Sequence, residues 1–106
     1  MVHYEVLISD KAHEDMEAIY TYITETLLAP IAAANQYDRI AATILSLEMM
    51  PDRIKNMDSE PERSKGLRSL VVDNYTIFFV VNMEKVHIAR VLYSASDISK
   101  RLSEEL

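Results

Sequence analysis

Cysteine is absent from the 106 residues, and so is tryptophan. Without cysteine there are no disulfides, thiolate zinc sites or cysteine nucleophiles. A single glycine and three prolines leave no material for flexible linkers, low-complexity tracts or a glycine-rich phosphate loop. No apolar run approaches the roughly 20 residues of a membrane-spanning helix. Met1-Val2-His3-Tyr4-Glu5 lacks the basic and apolar parts of a signal peptide. A cytoplasmic protein with no membrane partner is expected. The three histidines, His3, His13 and His87, have no metal-ligand spacing, so neither a metal nor a cofactor is expected.

Basic residues are scarce in the first half. Residues 1–50 hold two (Lys11 and Arg39) against eight acidic ones, whereas residues 51–106 hold nine of each. The net charge of −6 therefore comes wholly from the first half. A general nucleic-acid binder would be basic, so phosphate could be met only by a local patch. Residues 53 to 68 supply such a patch, with five basic residues against three acidic ones. The apolar fraction of 49% and the length suit one domain, residues 1–106, with one core.

What the chain does have is a β-rich stretch from Gly66 to Tyr93. Leu67–Val72, Tyr75–Val81 and Val86–Tyr93 read as three strands of an antiparallel meander. Asp73-Asn74 suits the first turn because both residues tolerate positive φ. Asn82 to Lys85 make the second turn. The middle run is apolar on both alternating faces, which places it centrally and covered on both sides. Arg68, His87 and Arg90 are the charged or titratable residues set into the outer two runs. By alternation His87 shares a face with Tyr93 and not with Arg90.

Before the meander, Tyr4-Glu5-Val6-Leu7-Ile8 reads as a strand, and Ser9 or Asp10 as a helix cap. Ala12, Met16, Ile19, Tyr20, Ile23 and Leu27 then recur at helical steps. After Pro30, the residues Ile31, Ala34, Tyr37, Ile40, Ala41, Ile44, Leu45 and Leu47 continue that spacing to about Met50. The two helices form a hairpin that buries its stripes on the sheet. Residues 51–65 show neither period, and a loop this long is expected to be functional or mobile. Ser96 is the expected cap of a last helix carrying Ile98, Leu102 and Leu106. The layout is α+β, in the order β-α-α-β-β-β-α.

That layout and its residues resemble the RelE/ParE family of bacterial toxin–antitoxin toxins. The likeness runs along nearly the whole chain. It begins with the strand YEVLIS and continues through Ala12, Asp15, Met16, Ile19, Tyr22 and Ile23 of the first helix. Leu47 to Pro51 follow. Then come Gly66, Arg68, Leu70, Val72, Tyr75, Ile77 and Phe79. The closing pattern is Ile88, Arg90, Val91, Leu92, Tyr93 and Asp97. The resemblance implies a helical hairpin packed on a small curved antiparallel sheet. It implies a growth-inhibiting toxin silenced by a cognate antitoxin protein. RelE-like members cut ribosome-bound mRNA without a metal, and ParE-like members block DNA gyrase.

Metal-free RNA cleavage needs a proton acceptor, a proton donor and cations for the phosphorane charge. The resemblance gives Arg68 the phosphate-stabilising role and puts Tyr93 near the reacting groups. Lys65 and Arg63 would add charge from the loop, with Lys65 counted among the catalytic set. Arg90 and His87 are candidates for phosphate or partner contacts. One departure bears on this. Where RNA-cleaving members often carry arginines after the V-L-Y pattern, this chain has Ser94-Ala95-Ser96. The departure and the acidic charge move the balance slightly towards a ParE-like or otherwise altered activity, with ribosome-bound mRNA and DNA gyrase both kept as targets. They also leave open a non-toxic, repurposed fold that serves only as a protein-binding module.

Overall fold

The computed structural model describes residues 3–105. Its elements are β1 (Glu5–Ile8), α1 (Asp10–Thr21), α2 (Pro30–Leu45), β2 (Leu67–Val72), β3 (Tyr75–Asn82), β4 (Lys85–Tyr93) and α3 (Ile98–Glu105). The sheet order is β1-β4-β3-β2. The meander is antiparallel, but β1 joins β4 in parallel, from Glu5 opposite Lys85 to Ile8 opposite Ile88. The sheet is therefore mixed. The helical hairpin carries the chain back across the sheet before β2 begins, which permits a parallel partner.

Both faces of the sheet are covered, as the doubly apolar β3 requires. Ile77 and Phe79 join Val86, Ile88 and Val91 against Ala12, Met16, Ile40 and Ile44 of the hairpin. On the other face Phe78 packs with Leu67, Leu92 and Leu102, backed by Met57 and Ile98. Burial of a phenylalanine is worth roughly 1.5–3 kcal/mol. Phe78 and Phe79, adjacent in sequence, thus anchor one core each.

Ser9 caps α1, its Oγ accepting from Ala12 N at 3.0 Å. The helix does not run regularly to Leu27. At Tyr22–Thr26 it widens into a π-helical turn in which Leu27 N donates to Tyr22 O at 3.2 Å. The extra residue shifts the phase, so Leu27 is exposed and Leu28 takes a positive φ of 54°. Tyr20, counted on the buried stripe, also stands 40% exposed.

In α2 the buried line is Ala33, Gln36, Ile40 and Ile44, and Ile31, Ala34 and Leu45 face outward. Periodicity missed Gln36 because a polar residue sits on the apolar line. Gln36 Nε2 donates to Asp73 Oδ2 at 2.9 Å, and Arg39 Nε donates to the same oxygen at 2.7 Å. These bonds hold the Asp73 carboxyl below its usual range, Arg39 first. They tie α2 to the β2–β3 turn, where Asp73 has φ 54°.

Residues 51–65 are pinned at several points. Met57 N donates to Leu67 O at 2.9 Å, and Asn56 bridges Arg68 on the outer side of β2. The cap of α3 is Asp97, whose Oδ1 accepts from Lys100 N at 3.3 Å. Ser96, the expected cap, instead donates to Tyr93 O at 2.6 Å. Leu106, expected on the stripe of that helix, lies outside the described residues.

Candidate functional site

A bulge in β4 sets which way its side chains face. Phe78 lies opposite Arg90 and Phe79 opposite Ile88, so Ala89 is the extra residue. Such an insertion breaks the two-residue alternation. Val86 and Ile88 face the hairpin before it, and Val91 does so after it. His87 and Tyr93 therefore do not share a face, contrary to strict alternation. His87 is exposed beside the β3–β4 turn, opposite Val80. Tyr93 stands opposite Tyr75 at the far end of the same strand.

Arg90, at the bulge, is almost wholly buried. Its Nε and Nη2 donate to the two carboxylate oxygens of Asp15 at 2.7 and 2.9 Å. Its Nη1 reaches Arg101 O of α3 at 3.4 Å. Asp15 also accepts from Val91 N at 3.0 Å. Beyond Ile88, where β1 has ended, α1 supplies these bonds to the open edge of β4. The cap residue Ser9 adds to them, its Oγ donating to Ala89 O at 2.9 Å. Arg90 thus joins β4, α1 and α3. Asp15 lies off the apolar stripe that periodicity gives the helix, and its pairing with Arg90 accounts for its burial.

Arg68 lies opposite Phe79, on the hairpin face of the sheet. Its Nη1 donates to the Ile54 carbonyl, and its Nη2 is 3.6 Å from Asp52 Oδ1. Asp52 Oδ2 accepts from the Tyr4 hydroxyl at 3.1 Å, a bond that raises the Tyr4 pKa. The Nε of Arg68 is buried with no partner. This guanidinium clamps residues 52–54 onto the sheet.

The predicted catalytic residues are not brought together. Along β3, Phe79, opposite Arg68, is four residue steps from Tyr75, opposite Tyr93. At the rise of a strand that is roughly 13 Å, with two strand spacings across the sheet in addition. Lys65 and Arg63 are exposed in the turn that precedes β2, farther still from Tyr93. Arg63 helps to lower the Glu60 carboxyl, after the two bonds from Ser64.

Tyr93 belongs to a different assembly. A groove of about 540 Å³ opens between the π-helical turn, the ends of β3 and β4, and α3. Tyr22, Leu27, Tyr75, Tyr93, Asn74 and Arg101 line it. The Tyr75 and Tyr93 rings meet edge-on, with centroids 6.0 Å apart. Burial, then the neighbouring phenols of Tyr93 and Tyr22, raises the Tyr75 pKa. Its phenol stays neutral at physiological pH and can donate as well as accept. Three phenols on an apolar lining are suited to gripping a peptide segment. Arg101 is the single cation among the described residues that line the groove. Sequence reading missed Tyr75 and Arg101, which only the end of the sheet brings beside Tyr93. Among the described residues no cluster of His, Cys, Asp or Glu could hold a metal ion, and no helix is long and apolar enough to cross a membrane.

Comparison with known proteins bears directly on this arrangement. No curated protein matches the chain significantly. Among solved structures it is similar to a chain of the chromosomal ParDE toxin–antitoxin system from P. aeruginosa. That match has 23% identity and a TM-score of 0.70, and covers 84% of this chain and 94% of that one. A chain of the RelBE2 toxin–antitoxin complex from Mycobacterium tuberculosis is 21% identical with a TM-score of 0.62, over 91% and 97%. At such identities the likeness establishes the fold, which is RelE/ParE-like. Family membership rests on the sequence: residues 6–98 match the ParE toxin of type II toxin–antitoxin systems, parDE, and the chain belongs to that family.

Proposed function

We propose that this ParE-family toxin arrests growth by binding a protein target, DNA gyrase, in the cytoplasm, and that a cognate antitoxin silences it. One observation carries the choice of a binding mechanism over RNA cleavage. The guanidinium of Arg68 is committed to the Ile54 carbonyl and Asp52, while Tyr93 stands at the other end of the sheet. A metal-free nuclease needs acid, base and cation within hydrogen-bond reach of one phosphate. Here these groups are spread over both ends of the sheet. The Ser94-Ala95-Ser96 segment adds no cation beside Tyr93. The acidic hairpin would repel an RNA backbone.

The tyrosine-lined groove offers the alternative chemistry. Its phenols supply large apolar contact with hydrogen-bonding ends, the combination that anchors protein interfaces. Both antitoxin and target are proteins in this reading, and the groove is the surface through which the toxin meets them.

The test is induction of the chain alone in a bacterial host, followed by mapping of RNA 5′ ends and of plasmid supercoiling. Growth arrest with relaxed plasmid and no new ends within coding regions is expected. New ends periodic with codons, lost in Arg68→Ala, would replace this reading with a ribosome-linked nuclease. Absence of arrest would leave a binding module without toxicity.

A further inference from the structure

The helical hairpin holds a second feature, with a lining distinct from that of the groove. Tyr20 of α1 and Tyr37 of α2 meet edge to face, with ring centroids 6.2 Å apart and planes at 88°. Glu17 and Thr21 lie three residues before and one after Tyr20, and the four side chains line a shallow cradle of about 380 Å³. Tyr20 is 40% exposed and Glu17 is exposed. A pair of phenol rings used only to close a hairpin would turn its faces inward. Here Tyr37 is half-buried against the core and braces the exposed ring of Tyr20, which has a carboxylate at its rim.

Charge around the cradle points to one kind of occupant. Asp10, Glu14, Glu17, Glu25 and Asp38 are exposed on the hairpin. Its two cations are outnumbered by these five carboxylates, and one of them, Arg39, is held by Asp73 at 2.7 Å. The surface potential around the cradle is therefore negative. Aromatic faces attract cations, and a guanidinium both stacks on a ring and forks onto a carboxylate.

We propose that the Glu17–Tyr20–Tyr37 cradle is a docking site for an arginine side chain on a basic segment of a partner protein. The guanidinium would lie against the tyrosine wall with its N–H groups directed at the Glu17 carboxylate. Such an anchor sits outside the tyrosine groove and holds whether or not the target is gyrase.

The probe is N-acetyl-arginine amide, with N-acetyl-citrulline amide as its neutral, nearly isosteric control. Ring signals of Tyr20 and Tyr37 are followed by NMR in the carbon-labelled full chain at low salt. Saturable shifts confined to these rings are expected, with affinity roughly two- to fivefold higher for the arginine probe. Glu17→Gln should erase that preference while leaving the melting temperature unchanged. Tyr20→Leu should abolish the saturable shift. Shifts that never saturate, that are equal for the two probes, or that survive Glu17→Gln would overturn the proposal. So would shifts that depend on protein concentration without probe, which would assign the cradle to a second copy of the chain.

Discussion

Two arginines leave the sheet towards carboxylates of the surrounding layers, and their settings differ. Arg90 and Asp15 form a two-pronged pair with side chains only 4% and 8% exposed. Arg68 and Asp52 are 3.6 Å apart, with Asp52 61% exposed. The first pair has little water to fall back on, so each partner depends on the other for its solvation. The second pair is screened, and Arg68 is held mainly by a backbone carbonyl. A buried pair fixes the fold, whereas the half-exposed one fastens a loop. An arginine motif therefore says little about chemistry until its surroundings are known.

Breaking the buried pair should have the largest effect. Arg90→Ala strands the Asp15 carboxylate and is expected to cost about 3–5 kcal/mol. Chemical denaturation with a fold-sensitive probe measures this. Replacing both residues, Arg90→Met with Asp15→Leu, should recover much of the loss, because no charge is then left buried alone. If the double variant is as unstable as the single one, the hydrogen bond from Val91 N to Asp15 carries more than the ion pair.

Arg68→Ala should cost less, about 1–2 kcal/mol, because the Ile54 carbonyl loses its donor at a partly hydrated position. Hydrogen exchange should rise in residues 52–57 and stay unchanged in β4. Growth arrest should persist. Loss of arrest in a protein that still folds would return Arg68 to a chemical role.

Tyr93→Ala makes the converse case. At an exposed position it should change stability by no more than about 0.5–1 kcal/mol, yet weaken growth arrest at matched protein level. Full toxicity in this variant would remove the groove from the account.

The smallest effect concerns the turn on Asp73. Its folded-state pKa is depressed by the bonds from Arg39 and Gln36, below an ordinary value of 3.8. That contribution is present above 3.8 and is lost as pH falls through the depressed value. Asp73→Asn should therefore melt slightly below the wild type at neutral pH, and the gap should close in acid. A gap independent of pH would mean that the carboxylate charge contributes nothing to the tie.

The sequence announced the elements better than their joins. The meander strands, the Ser9 cap and the two hairpin helices were legible because hydrophobic period and turn residues agreed over several positions. The parallel seating of β1 was not legible, since strand alternation carries no direction. Nor was the bulge at Ala89. One inserted residue in a strand with apolar residues in both phases of the alternation leaves the bulge unseen, and His87 was put on the same face as Tyr93 as a result. The π-helical turn at Tyr22–Thr26 hid in the same way, by adding one residue to a periodic stripe. For the site, the resemblance named Arg68 and Tyr93 together although they are 25 residues apart in two different pieces of its pattern. In space a stretch of β3 and two strand spacings hold them apart.

The central claim is that this fold inhibits by binding and that its sheet arginine is structural. A supercoiling assay with purified DNA gyrase, titrated with wild-type chain and with Arg68→Ala, tests it most directly. Dose-dependent inhibition of supercoiling by both proteins is the predicted result. Undiminished supercoiling at saturating toxin, under conditions where the same preparation arrests growth, would contradict it.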